Sequence, residues 1–377
     1  MNADPQLRER LDRAAAGVRM DTERRLDEIH RSAPRRQRIR RVGTLAVALV
    51  FALVSVGVAW QLLRLRAAPT TPGTDVGLSG RIAYMQLTKP LDQKDSSDLF
   101  VLDAASGHVA VLHEGTGFSV WPQWSPDGSR LAYASNETRQ GGTGIFVAQA
   151  DGTQPVDILG GRPLQDGGPI SLGWAPDGSR MAFVGQDLGT GQTGVWTVKP
   201  DGTDRRLVLD GRWDAVSWSP DGERLLLAGA PAGADQVDLY TVRLDGSGLA
   251  QLTDDGAVER SPTWSPDGTR IVFAETTVAL DNEDYGQDVF VMDADGSNLR
   301  RLTEWKGFDS FPVWAPNGKW IAFASDRDAT RDQQLRNSGG KVPLSGVSIY
   351  VMRPDGSGVV RVLDGGTVAV LPSSWTP

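Results

Sequence analysis

The sequence predicts an all-β fold, a six-bladed β-propeller of four-stranded antiparallel blades, preceded by one transmembrane helix and a short helical cytoplasmic tail. Three observations predict it. A Trp-Ser/Ala-Pro-Asp/Asn-Gly unit recurs every 45–50 residues or so. A second motif recurs between its copies. A single uncharged run of 22 residues stands before the first copy. A fixed period of that length, with strand-turn-strand chemistry inside it, is the mark of a radially repeated sheet.

The first unit is complete five times: Trp124 with Asp127 and Gly128, Trp174 with Asp177 and Gly178, Trp218 with Asp221 and Gly222, Trp264 with Asp267 and Gly268, and Trp314 with Asn317 and Gly318. In each, Trp ends a strand, Pro sets φ, and Asp-Gly or Asn-Gly makes a tight turn into an apolar strand such as Leu131-Ala132-Tyr133-Ala134. The second motif begins at Asp98, Gly144, Gly194, Asp238, Asp288 and Ser348 and supplies a third strand. A fourth follows its turn, as in Leu299–Thr303. The sixth copy of the first unit is split. Ser374-Trp375-Thr376-Pro377 lacks its Asp-Gly, and Gly80-Arg81-Ile82-Ala83-Tyr84 matches the strand beyond such a turn. The last strand is therefore expected to pair with the first and close the ring, leaving no open edge at the seam.

These units resemble the WD40-like PD40 repeats of TolB-type propellers, and the resemblance covers residues 79–377. It implies the fold. It does not imply one activity, because propellers host many.

Residues 1–41 form a basic cytoplasmic tail with 12 Arg and 7 acids. Residues 67–377 carry 25 basic and 40 acidic residues. An acidic propeller argues against nucleic-acid binding. With no Cys in the chain, disulfides, thiolate chemistry and Cys-type zinc sites are excluded. Few Lys beside many Arg, with abundant Ala, Gly and Val, suggests a high-GC bacterial source.

Within residues 1–30, Leu7, Leu11, Ala14, Ala15 and Val18 share one helical face, and Leu26 with Ile29 begin a second short amphipathic stretch. Two readings stand: a solvated tail, or a docking segment for a cytoplasmic partner. The layout of short tail, one membrane helix and outer domain resembles bacterial anti-sigma factors, without the zinc-binding motif.

Residues 31–41 hold six Arg, a topogenic cluster that also suits anionic lipid. Residues 42–63 are long and apolar enough to span a bilayer, with Trp60 near one end. The Arg excess before this span places the N-terminus in the cytoplasm and the propeller outside the cytoplasmic membrane, in a periplasmic or equivalent space. The long preceding region favours an uncleaved single-pass signal anchor over a cleaved signal peptide. Residues 64–78 are a Pro/Gly/Thr-rich linker, and residues 79–377 the propeller.

Strand directions alternate, so the Asp-Gly turns and those after the second motif share one face. The other face carries variable loops, among them Gln86–Ser97, Asn136–Thr143, Thr276–Gln287 and Asp326–Val347. Variable loops on a rigid scaffold carry recognition, so the long-loop face is expected to bind.

Gly189-Thr190-Gly191-Gln192-Thr193-Gly194 fits G-x-G-x-x-G but has no following helix to hold a dinucleotide. Asp281, Glu283, Asp284 and Asp288 suggest calcium, but Tyr285 and Met292 break the EF-hand spacing, so a solvated acidic loop is the expectation. The repeated Asp and Trp residues read as turn and packing residues. His30 falls in the tail, leaving His108 and His113 in the propeller, too few for the His-rich metal centre of propeller lyases. There is no G-x-S-x-G elbow, nor a stretch for the hydrolase domain of the prolyl oligopeptidase family.

The expectation is a non-enzymatic membrane-anchored propeller, without cofactor or metal, that binds a protein, peptide or cell-envelope ligand. The alternative is a transmembrane regulator whose residues 1–30 hold a cytoplasmic partner.

Overall fold

Short apolar strands separated by Gly-containing turns can bury both faces only by stacking sheet on sheet, and the chain does this around a ring. The computed structural model describes residues 77–87, 97–114, 117–137, 142–160, 171–186, 191–278, 285–330 and 345–377. The tail, the membrane segment and nearly all of the linker lie outside them. Among the described residues no helix is long and apolar enough to cross a membrane.

In chain order the strands are β1 (Arg81–Leu87), β2 (Ser97–Asp103) and β3 (Val109–His113); β4 (Ser119–Trp124), β5 (Arg130–Ser135), β6 (Gly144–Gln149) and β7 (Val156–Asp157); β8 (Leu172–Trp174), β9 (Met181–Gln186) and β10 (Thr193–Val198); β11 (Arg206–Trp218), β12 (Arg224–Pro231), β13 (Asp238–Arg243) and β14 (Ala250–Gln251); β15 (Glu259–Trp264), β16 (Arg270–Val278), β17 (Tyr285–Asp293) and β18 (Arg300–Arg301); β19 (Asp309–Trp314), β20 (Ile321–Ser325), β21 (Ser348–Met352) and β22 (Val360–Leu363); and β23 (Ala369–Thr376). All pairings between these strands are antiparallel, and the fold is all-β.

Among the described residues the sheets number five, not six separate ones. Four have four strands: β23-β1-β2-β3, β4 to β7, β15 to β18, and β19 to β22. One has seven, β8 to β14. The cause is β11, a single strand of 13 residues. Its first part pairs with β10 through Asp210, and its second pairs with β12 from Gly211, where φ is 133°. The expected seam is present: β23 pairs with β1, from Arg81↔Thr376 to Leu87↔Ala369. Trp375 donates its indole N–H to the Ser79 carbonyl at 2.9 Å. Leu78, the last residue of the expected linker, is buried beside Ile82 and Trp375.

The inner strands follow one another in a closed circuit of contacts: β4, β8, β11, β15, β19, β23 and back to β4. The core lies between sheets. Ala215, Leu226 and Leu239 pack against Ile271, Phe273 and Met292, and Val272, Val289 and Val291 pack against Trp314, Ile321 and Phe323. Second strands such as β5 and β12 are therefore buried on both faces. The outer strands β7, β14 and β18 are only two residues long, which keeps the sheet edges short. They are shorter than the Leu299–Thr303 type of strand expected.

Two loop expectations change. β16 and β17 pair as far as Val278↔Tyr285, so much of the expected Thr276–Gln287 loop is strand. Asp288 consequently lies inside the sheet. It is fully buried, bound by Arg301 and by the Trp305 N–H, and is not part of a solvated acidic loop. Asp281, Glu283 and Asp284 lie outside the described residues, as do Gly189 and Thr190 of the Gly-rich motif. Thr193 and Gly194 of that motif begin β10.

Candidate binding face

The short-turn face spends its polar groups on itself. Ser125 Oγ donates to Asp127 at 2.6 Å and accepts from the Arg130 N–H at 2.9 Å, while the Gly128 N–H reaches the Ser125 carbonyl at 2.8 Å. The same set recurs at Ser219, Asp221 and Arg224 and at Ser265, Asp267 and Arg270. Where Ala replaces Ser, Asp177 and Asn317 still accept the backbone N–H of Ser179 and Lys319. Hydrogen bonds from Ser125 and Ser129 hold the Asp127 carboxyl down at about 2, and Ser265 and Thr269 do the same for Asp267. Gly222, Gly178, Gly128, Gly268 and Gly318 all sit at positive φ, as such turns require.

The repeated Trp residues join neighbouring sheets. Trp124, Trp174, Trp218, Trp314 and Trp375 are buried, and Trp264 is half-buried. Trp174 donates to the Gln123 carbonyl and Trp218 to that of Gly173, each at 3.1 Å. Arginines that follow the turns lie over the Trp of the next sheet: Arg81 over Trp124 at 4.4 Å, Arg130 over Trp174 at 4.8 Å, and Arg270 over Trp314 at 4.9 Å. Sequence reasoning missed these arginines, although the recurrence of Arg three residues after the Asp was visible.

The channel carries a different signal. Trp121, Ser261 and Phe311 have φ of 56°, 51° and 54°, and each precedes a Pro. Bulky residues avoid this region, and the residue before Pro is restricted further. All three lie in bulges of inner strands, β4, β15 and β19. Bulges re-aim side chains and are enriched beside functional sites. The Trp121 and Phe311 rings meet at 5.4 Å although β23 intervenes between their strands, so they project into the channel. Phe308 packs on Phe311 at 6.0 Å. The clue in the sequence is a Pro two residues before Trp124, Trp264 and Trp314.

The long-loop face also gathers buried charge. Asp309 is fully buried and held by Arg327 at 2.8 Å. Burial raises its pKa, and Arg327 opposes that. His113 lies 3.3 Å from Glu137. Glu259 is fully buried, and neither carboxylate oxygen has a hydrogen bond of ordinary geometry; burial pushes it up to about 7, opposed by the nearby Thr253 hydroxyl. Glu275, directly opposite on β16, is also pushed up to about 7 by burial. Among the described residues no group of three or more His, Cys, Asp or Glu side chains is arranged to hold a metal ion.

A closed circuit of small antiparallel sheets with motif turns on one face defines a β-propeller. The family model of the PD40 TolB beta propeller domain matches residues 169–278. The fold is similar to the crystal structure of TolB from Acinetobacter baumannii, at 20% identity and TM-score 0.61, covering 79% of this chain and 67% of that one. It is also similar to a putative TolB from Agrobacterium tumefaciens, at 20% identity and TM-score 0.54, covering 80% and 100%. A chain of a nidogen/laminin complex shares the architecture at 12% identity and TM-score 0.52, covering 78% and 99%. At such identities the likeness speaks to fold alone. No curated protein matches the chain.

Proposed function

We propose that this chain is a membrane-anchored, extracytoplasmic propeller of six blades that binds a protein, peptide or cell-envelope ligand through its long-loop face, without catalysis. The six-blade reading is supported by β11, which serves as outer strand to one blade and inner strand to the next, and by the six inner strands in closed succession. The membrane anchor rests on residues 42–63 and the Arg-rich residues before them.

The observation that carries the binding reading is the strained aromatic pair in the channel, Trp121 with Phe311. Rigid aromatic groups held by strained backbone give large contact area at little entropic cost. The opposite face has its turn side chains tied up in local hydrogen bonds.

The chain lacks Cys, so single cysteines report cleanly. In whole cells, crosslinkers on cysteines at Ser338 and Gly222 are expected to capture envelope partners at the first position only. Capture at Gly222 alone, or retention of capture after Trp121→Ala with Phe311→Ala, would sink the reading. Repeating the capture without residues 2–30 tests the regulator alternative, which requires a cytoplasmic partner lost with that tail.

A further inference from the structure

Corresponding positions in three sheets solve the same problem differently. Each inner strand begins on the long-loop face, opposite the end of its second strand and beside the preceding sheet. In β4 to β7 the pair is Ser119 and Ser135, neutral, with His113 of the preceding sheet set against Glu137. In β19 to β22 it is Asp309 and Ser325. There Arg327 binds Asp309 at 2.8 Å and the Ser325 hydroxyl at 2.9 Å, and its guanidinium lies over Phe323 and Tyr350 at 5.1 and 4.9 Å. The first place carries no acid in the facing pair, and in the second Arg327 supplies the counter-charge.

In β15 to β18 the pair is Glu259 and Glu275. The aromatic floor is repeated, since Phe273 and Phe290 stack at 5.9 Å where Phe323 and Tyr350 do. The cation is not repeated. Among the described residues no ion pair reaches Glu259 or Glu275, and the Glu259 carboxylate is wholly buried with neither oxygen in a hydrogen bond of ordinary geometry. Arg301, whose charge acts on Glu275, is committed to Asp288. Further acids lie near the pair: Asp238 and Asp255 of the preceding sheet both act on Glu259, and Asp255 and Asp288 act on Glu275. Asp254 and Asp255 are exposed and form its rim.

We propose that the Glu259–Glu275 pair receives one guanidinium group from a bound protein or peptide, entering from the half-buried Glu275 side, an arginine side chain taking the place that Arg327 takes in the next sheet. The inference rests on the reading that the long-loop face binds such a ligand, and it names the chemistry of one subsite. A planar guanidinium donates in two directions and spans facing carboxylates, and it tolerates an aromatic floor. A hard metal ion needs several carboxylates converging within a short radius, which the described residues do not offer. The exposed rim acids draw the cation inward.

The test uses the full chain in detergent micelles and N-acetyl-arginine amide as probe, followed by calorimetry at pH 8. Saturable binding is expected. It should weaken about tenfold or more in Glu259→Gln and with the neutral isostere N-acetyl-citrulline amide. At pH 7 binding should release protons, read as a dependence of the measured heat on the buffer. Glu275→Gln provides a second variant and should also weaken binding. Absence of saturable binding at pH 8, or equal binding by Glu259→Gln, overturns the proposal and leaves the two glutamates sharing a proton. Saturable calcium chloride binding that excludes the probe overturns it in favour of a metal. If partners are still captured at Ser338 while the probe fails, this inference alone falls; if neither binds, the functional reading falls with it.

Discussion

Replacing Glu259 by Gln should stabilise the protein at alkaline pH and leave it unchanged in acid. In the fold, burial raises the Glu259 carboxyl from an ordinary 4.5 to about 7. Between those values the folded state keeps a proton that the unfolded chain has lost, so stability falls as pH rises from about 4.5 and levels off above about 7. A difference of about 2.5 pH units corresponds to about 3 kcal/mol at most. Relaxation of the surroundings around the buried charge offsets part of this, leaving about 2 kcal/mol. For a domain of about 300 residues that is about 3 °C in Tm. The assay is urea unfolding followed by tryptophan fluorescence at pH 5, 6, 7 and 8. Any fixed cost of burying an amide is the same at every pH, so the informative quantity is the change in the mutant–wild-type difference between pH 5 and pH 8. Glu275, only half-buried, adds a smaller trend of the same sign. A wild-type stability that is flat from pH 5 to 8, or a mutant that declines in parallel, would refute the reasoning.

Arg270→Ala removes the cation over Trp314 and should cost about 1 kcal/mol in unfolding free energy, more than a substitution at exposed Arg260. Gly152 and Gly160 both have positive φ, but a Cβ at Gly152 would lie 1.8 Å from the Leu112 carbonyl oxygen, whereas one at Gly160 meets nothing within 4 Å. Gly152→Ala should therefore lower stability by at least about 2 kcal/mol more than Gly160→Ala, measured by thermal unfolding. Asp267 is held down at about 2, so its turn contributes fully above about pH 4 and loses that contribution as pH falls through about 2. Asp267→Asn should show a shallower acid unfolding profile over that window, and an unchanged profile would contradict the turn assignment.

What was legible in the sequence was what is local or periodic. The Ser125–Asp127–Arg130 turn closes within five residues, so its chemistry can be read directly and recognised at each recurrence. The seam was legible because residues 80–84 and 374–377 are the two halves of one repeat. Cross-strand consequences were not legible. Asp288 reads as a loop acid until β17 is seen to begin at Tyr285. Glu259 and Glu275 look like ordinary surface acids until register sets them opposite each other and burial closes over the first. β11 hid the junction of two sheets, because the chain stays extended through Asp210-Gly211, a dipeptide that marks a tight turn in the repeats, and changes partner there instead of turning. The Trp121–Phe311 contact depends on closure of the whole ring, which no local pattern reports.

The pairing of β1 with β23 also has a consequence in time. Trp375 and Ser79 are separated by 296 residues, so the first strand made waits for almost the last. At about 5–20 residues per second, roughly 15–60 s pass between their syntheses. Through that interval β1 offers a bare hydrogen-bonding edge and an apolar surface around Ile82 and Tyr84 to anything nearby. A nascent chain of this kind is exposed to mispairing until β23 emerges, and its yield in cells should depend more on holdase chaperones than its final stability suggests.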